Sequence, residues 1–259
     1  MNLRGVDFRS PLFLCLLNIS MNDTVFVLGN GLSRKNIDPY ELKGTVVGCN
    51  ACYRDFEPDV LCAIDAGVIF DIVEHIGKEH YNTEFYFTHD SWNPLPAETR
   101  NNLMLEEGSV TKETKHRSKE FVVISGFDEE IENTVNYIMW VPEGVIIKNM
   151  MCTQSEGRVG RNTGTAAVYV ACRDFNPKKI YLLGFDHQSD KYDNLYANTS
   201  HYYKSDSGSW KSTHKGWTDE LLKVVREFPE IDFYWVNSSI KFHNQKNLHF
   251  LDEKEIWQV

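Results

Sequence analysis

TVFVLGNG, residues Thr24–Gly31, decides how the rest of this chain is read. Five residues rich in β-branched and aromatic side chains, without a charge, run straight into Gly-Asn-Gly, the pattern of a buried strand entering a tight turn. Outward from it the pattern repeats. TVVGC at 45–49, VLCAI at 60–64 and EFYFT at 84–88 read as strands, followed by Glu120–Ser125, Val145–Lys148, IYLL at 180–183 and IDFYWV at 231–236. Helical periodicity fills the gaps at 36–42, 67–76, about 128–137, 162–175 and 217–228. Strands alternating with helices at this spacing predict an α/β, Rossmann-like fold, a mostly parallel twisted sheet flanked by helices. In such a sheet, ligands bind beyond the carboxyl ends of the strands, where Asn30, Asn50 and Asp65 fall.

The chain has 259 residues, of which 42% are hydrophobic and 25% charged, the balance of a globular protein able to bury a core. We expect residues 1–20 to form an N-terminal extension, with Met21 as the natural start, and residues 21–259 to form a single α/β domain. Within it, about 89–118 loses periodicity and reads as a loop or insertion, and about 187–216 as a lid loop. The run PLFLCLLNI at 11–19 is too short to span a bilayer, and no stable membrane insertion is expected. The net charge of −10 weighs against tight nonspecific binding to nucleic acid. Six scattered cysteines, four of them inside apolar runs, read as reduced and buried, which points to the cytoplasm. Cys49-Asn50-Ala51-Cys52 is formally a CxxC, but no second such pair or Cys/His pair at zinc spacing accompanies it, so no metal site is expected.

Four groups of residues can carry chemistry. Gly29, Asn30 and Gly31 allow backbone to approach a ligand, and they read equally as a plain turn; the third glycine of a dinucleotide fingerprint is missing. Asn162-Thr163-Gly164-Thr165 opens an Ala-rich helix. Its free N–H groups and dipole suit an anion, although ordinary capping accounts for the same residues. Asp65 ends a strand and can hold a ribose or a sugar, whereas Asp71 in the following helix reads as solvated or capping. The loop after Asp186 carries His187, Tyr192, Tyr196, His201, Tyr202, Tyr203 and His214, more phenols and imidazoles than a solvated loop requires. Phenols can steady a departing phosphate without a metal, and an imidazole can serve as general base near neutral pH.

Together the segments VFVLGNGLSRKNIDPYEL, VVGCNACY, NTGTAAVYVACRDFNPKKIYLLGFD and SHYYKSD…STHKGWTDELLKVVREF resemble the small bacterial sialyltransferases of Campylobacter type, glycosyltransferase family 42. The likeness covers roughly residues 24–53 and 160–240. It implies a GT-A-like variant of the fold and a metal-independent, inverting glycosyltransferase. Such an enzyme needs no cofactor beyond its donor, a CMP-linked sugar such as CMP-sialic acid. By resemblance, Asn30 and Asn50 contact the nucleotide or its sugar, Thr163 stands where the family has Ser, with Gly164 beside it, and Asp186 ends the IYLxGID-like strand. His214 matches the general base, and Tyr196 one of two tyrosines that steady the phosphate. The second should follow the GID-like motif, where this chain has His187 and Gln188. Tyr192 is the nearest phenol, and Tyr202 and Tyr203 are further candidates. Phe56-Glu-Pro-Asp-Val60 and Asp65 look like the "PD…D" segment of a broader group. That group comprises flagellin glycosyltransferase-like proteins of Maf type and archaeal pterin pyrophosphokinase-like proteins.

The expected function is therefore transfer of a nucleotide-activated sugar to a glycan-type hydroxyl acceptor. Three alternatives stay open: an acceptor that is a modified nucleic-acid base or a phage or cell-surface glycan, a magnesium-dependent pyrophosphokinase-like reaction, and a nucleotide sensor without catalysis. The sequence also leaves homo-oligomerisation open.

Overall fold

Side chains of β1 (Thr24–Leu28) leave alternately on two faces, and both faces are buried: Val25 and Val27 on one, Phe26 and Leu28 on the other. A strand apolar on both sides belongs in the middle of a parallel sheet covered front and back. The computed structural model describes residues 23–76, 82–87, 93–94, 120–128, 133–141, 147–150, 162–187, 193–202, 204, 216–238 and 245–257. After β1 come β2 (Thr45–Cys49), β3 (Val60–Ala63), β4 (Glu84–Phe87), β5 (Asn93–Pro94), β6 (Glu120–Asp128), β7 (Asn133–Val141), β8 (Ile147–Asn149), β9 (Lys179–Leu183), β10 (Asp232–Val236) and β11 (Leu248–Leu251). The helices are α1 (Ala66–Ile76), α2 (Thr163–Val170), α3 (Trp217–Glu227) and α4 (Glu253–Ile256).

Eight strands form one sheet in the order β11-β10-β9-β1-β2-β3-β4-β8, and every neighbouring pair is parallel. The fold is Rossmann-like α/β, as the sequence predicts. From β1 the chain builds outward through β2, β3, β4 and β8, then returns to the other side of β1 with β9 and moves away again through β10 and β11. The reversal lies between β1 and β9, and a crevice opens at the carboxyl ends of strands at such a point. The sheet draws strands from residue 24 to residue 251, so both halves of the chain share it.

Three apolar clusters hold the layers. On one face Val25, Val27, Val47, Ile180, Leu182, Phe233 and Trp235 meet α2 and α3 through Ala167, Val170, Leu221 and Val225. On the other, Phe26, Leu28, Tyr181 and Leu183 meet Ile37, Leu42, Phe56 and Ile256. Toward β4, α1 buries Val68, Ile69, Ile72 and Val73 against Leu61, Phe85 and Phe87. α2 is capped by Asn162, whose side chain accepts from the Thr165 N–H at 2.7 Å. It continues as a wider turn over Ala171–Phe175 and stops at Asn176, which is left-handed at φ 44°.

Several expectations need correction. The helix expected at about 128–137 is absent; β6 and β7 form an antiparallel hairpin there, with Asn93–Pro94 as a third strand. The alternation of Thr134, Val135, Tyr137, Ile138, Trp140 and Val141 favours a strand, because β-branched and aromatic residues fit a pleated surface better than a helix. The hairpin lies against α1. The helix expected at 36–42 is a single turn, Pro39–Glu41, capped by Asp38, whose carboxylate accepts from the Tyr40 N–H. β11 and α4 follow Val236, which had been read as the end of the last strong strand. The extension at 1–20 lies outside the described residues. So does most of 89–118, and of the expected lid only 187, 193–202, 204 and 216 are described. No helix among the described residues is long and apolar enough to cross a membrane.

At the reversal point the two central strands are tied end to end. Gly29 N–H donates to the Leu183 carbonyl at 2.8 Å and Gly31 N–H to the Gly184 carbonyl at 2.9 Å. A Cβ on Gly31 would stand 2.4 Å from an Asp186 carboxylate oxygen and 2.6 Å from the Gly184 carbonyl. Gly31→Ala should therefore cost about 1–3 kcal/mol through overpacking, read as a lowered urea midpoint with an unchanged far-ultraviolet circular dichroism spectrum.

Candidate functional site

The site is built from the residues that immediately follow β1, β2 and β3 and those that open α2. Asn50 leaves β2 in the left-handed region, φ 49°, a conformation Asn tolerates better than most residues. Its side chain is gripped at both ends: its amide nitrogen donates to Asp65 Oδ2 at 3.2 Å, and its carbonyl accepts from Thr163 Oγ1 at 3.1 Å. One side chain thus joins the end of β2, the end of β3 and the start of α2. Asn30, beyond β1, donates to the Cys49 carbonyl at 3.2 Å and to the Tyr202 hydroxyl oxygen at 3.0 Å. The Ala51 N–H points at the same hydroxyl from 3.3 Å. Asn30, Asn50, Asp65, Thr163 and Tyr202 are therefore linked side by side along the carboxyl edge of the sheet. Gly164 follows on α2 and packs against Phe185, to whose Cε1 a Cβ at 164 would come within 3.2 Å.

Asp186 stands on the other side of the turn. Its carboxylate accepts from the Ser33 N–H at 2.9 Å and lies over Gly31, so it braces the turn from the β9 side. Burial pushes its carboxyl above the usual range, with the Ser33 contacts opposing the rise. The N–H groups of Gly29 and Gly31, expected to face a ligand, are committed to β9 carbonyls. These glycines serve the close approach of two backbones.

Of the four residues expected to act in catalysis, Tyr192, Tyr203 and His214 lie outside the described residues. Tyr196 is buried, 5% exposed, beneath the turn. Its hydroxyl donates to Asp55 Oδ2 at 2.5 Å and accepts from Arg34 Nη2 at 3.3 Å. Arg34, 4% exposed, also donates from Nε to the Gly29 carbonyl. Burial, with the hydrogen bond to Asp55 adding to it, pushes the Tyr196 phenol far up, so it stays protonated. The phenol that reaches the strand-end edge is Tyr202, whose ring lies 5.8 Å from that of Tyr196. His187, where a second phenol was expected, packs its ring among Phe185, Trp217 and Trp235 at 5.6, 5.8 and 5.4 Å.

Residues 194–202 run across these turns as a strap. The Leu195 N–H donates to the Asn30 carbonyl at 2.8 Å, and Asn194 bridges Gly31. Its far end is held by Arg54, which carries no mark in the sequence, together with Asp71 and His201. Arg54 donates to Thr199 Oγ1 at 2.9 Å and the Ser200 carbonyl at 3.4 Å, and pairs with Asp71 at 3.0 Å. His201 Nε2 lies 3.4 Å from the other Asp71 oxygen. Asp71 is therefore neither merely solvated nor a cap. Burial acts to raise its pKa, but His201 and Arg54 outweigh that and hold the carboxyl below its ordinary value. No spacing rule connects residues 54, 71 and 201; the trace in the sequence is an acid set among the apolar positions of a helix whose other polar residues, Glu74 and His75, fall in its last turn.

The four described cysteines are buried free thiols. Burial pushes the Cys52 thiol up to about 11, partly opposed by Arg34, so the Cys49–Cys52 pair lacks the thiolate that redox exchange requires. Cys52 Sγ instead receives the Cys49 N–H at 3.0 Å and closes the turn. Among the described residues no group of three or more His, Cys, Asp or Glu side chains is placed to hold a metal ion. No protein-family model matches the chain, and no curated protein matches it.

Two outcomes test this arrangement. Tyr196→Phe removes the bond from a buried phenol to Asp55 and takes an acceptor from the buried Arg34, and should destabilise by about 1–3 kcal/mol in urea denaturation. Asp71 is more acidic folded than unfolded, so its contribution is present at neutral pH and is lost as pH falls through its depressed folded value. Asp71→Asn should accordingly lower the urea midpoint at pH 7, and its gap to the wild type should narrow as pH falls below the ordinary carboxylate range and close only below the depressed folded value.

Proposed function

We propose that this chain is a metal-independent inverting glycosyltransferase that takes a nucleotide-activated sugar, CMP-linked, to a hydroxyl acceptor. The observation that carries the reading is the join of Asn30, Asn50, Asp65, Thr163 and Tyr202 along the carboxyl ends of β1, β2 and β3 and the N-terminus of α2. Amide, hydroxyl and phenol groups offer both donors and acceptors without charge, which suits the polar edge of a base and the hydroxyls of a ribose. Asp65, largely exposed and fixed by Asn50, suits a diol. At the start of α2 the Thr165 N–H is taken by the cap, while the helix end still presents a partial positive charge to a phosphate.

The chemistry needs little more. The bond from the anomeric carbon to the phosphate oxygen breaks as the acceptor oxygen attacks the opposite face, and the acceptor proton passes to a base. Negative charge grows on the departing nucleotide phosphate, and a positioned phenol donating a hydrogen bond stabilises it most where charge develops. Tyr202 is the described phenol best placed for this, in preference to the buried Tyr196. The base is His214, assigned through resemblance to family 42, and the acceptor is a glycan-type hydroxyl.

Calorimetric titration tests the reading with CMP, CDP and UMP. CMP should bind, and Asn30→Ala and Tyr202→Phe should each weaken it by about tenfold, near the worth of one hydrogen bond to a charged group. Transfer from CMP-sialic acid should persist in EDTA and vanish in His214→Ala. Absence of nucleotide binding would overturn the reading, and abolition by EDTA would move it to magnesium-dependent pyrophosphoryl chemistry.

A further inference from the structure

We propose that Arg54, Asp71 and His201 are positioning residues: they form a clasp that fastens the 194–202 strap to α1 and so holds the Tyr202 hydroxyl at the Asn30 and Ala51 turns. The inference rests on the reading of Tyr202 as a donor-facing phenol and adds what controls it.

The geometry points to one knot with three strands. Arg54 sits on the same short turn, Asn50–Arg54, that carries Asn50 and Ala51. From there it reaches α1 through Asp71 and the strap through Thr199 and Ser200. Asp71 receives Arg54 on one oxygen and His201 on the other, so a single carboxylate binds turn and strap together. Arg is suited to this because its planar fork serves several acceptors at fixed angles, which a lysine cannot copy. Tyr202 is the next residue after His201. Its oxygen is approached by the Asn30 amide and the Ala51 N–H.

Two features bear on how the strap is held. Asn198 and His201 both lie in the left-handed region, φ 66° and 61°, where Asn and His are accommodated better than most side chains. The imidazole also needs a glycine beneath it: a Cβ on Gly67, in the first turn of α1, would stand 2.2 Å from His201 Nδ1. Ala is otherwise the better residue for a helix, so Gly at this position favours the contact with His201 over helix stability. The side-chain bonds of Arg54 end on Tyr53, Asp71, Thr199 and Ser200, His201 pairs with Asp71, and Tyr202 is the next residue along the strap, which makes it their link to the nucleotide edge.

This separates positioning from simple structural support. Hydrogen exchange on the ligand-free protein reads the Ala51, Leu195 and Tyr202 amides, which bond to the Tyr202 hydroxyl, the Asn30 carbonyl and the Thr199 carbonyl. Arg54→Met and His201→Gln should speed exchange at Ala51 and Tyr202 at least tenfold and leave the β1 and β9 amides unchanged. Gly67→Ala should do the same while its urea midpoint stays level or rises, a combination that loss of stability cannot produce. Because it leaves Arg54 and Asp71 intact, it also decides the matter if Arg54→Met fails to fold. In a double-mutant cycle on CMP affinity, Arg54→Met and Tyr202→Phe should be strongly non-additive, with Arg54→Lys intermediate. Unchanged exchange at Ala51 in folded Gly67→Ala and His201→Gln, or additive losses in the cycle, would overturn the clasp. If the wild type binds no nucleotide, the transferase reading fails while the exchange data still judge the clasp.

Discussion

Everything at the carboxyl edge of this sheet depends on how closely the ends of β1 and β9 approach one another. Two backbone hydrogen bonds, from Gly29 to Leu183 and from Gly31 to Gly184, pull the turns together at the point where strand order reverses. Side chains at 29 or 31 would keep them apart. With the turns joined, Asn30 projects between β1 and β2, and Asp186 lies across the suture onto Ser33. Beneath it, Arg34 and Tyr196 fill the space and connect the Gly29 carbonyl to Asp55. A cation this deeply buried is tolerated because its hydrogen bonds end on a carbonyl and on a phenol that is itself bound to a carboxylate.

From that suture the edge extends as a row of polar links. Cys52 closes the turn after β2, Asn50 reaches back to Thr163 and across to Asp65, and Tyr202 comes down from the strap onto Asn30. Polar groups fixed by one another before a ligand arrives lose little freedom on binding, which is the advantage of preorganisation in recognition and transfer. The edge is also divided by mobility of origin: Asn30, Asn50, Asp65 and Thr163 stand on or next to regular elements, whereas Tyr202 comes from a strap. The group assigned to the departing phosphate is thus the one whose position depends most on contacts outside the sheet.

Much of the fold was legible from residues 24–31 outward. A run such as TVFVL or IYLL that is apolar at every position fits only a strand covered on both sides, and glycine or asparagine after it marks where the strand must turn. The α2 start was legible because Asn-Thr-Gly-Thr before alanines is a capping pattern, and α3 because Leu221, Leu222, Val225 and Phe228 recur at helical spacing. The 128–137 segment misled because its first half is acidic, while the β-branched and aromatic residues that favour a strand run on from Thr134 to Val141, past its end, and pair with β6. For the site, Asn30, Asn50, Asp65 and Thr163 were all visible as strand-end or helix-start residues. Resemblance set Tyr196 ahead of Tyr202, and the structure buries Tyr196, since a phenol in a loop carries no mark of whether it faces the core or the edge.

By itself the sequence determined the class of fold, the centrality of β1, the capped start of α2 and the set of polar residues delivered to one edge. These follow from local pattern: periodicity, turn chemistry and the alternation of strand with helix. The tertiary structure alone decided that the glycines serve strand-to-strand contact, that Tyr196 supports Arg34 while Tyr202 meets Asn30, and that Arg54, Asp71 and His201 meet at all. Those facts depend on side chains separated by up to 172 positions coming within hydrogen-bond reach. Such contacts have a range of a few ångströms, and only the closed sheet and the strap lying over it bring their partners that near.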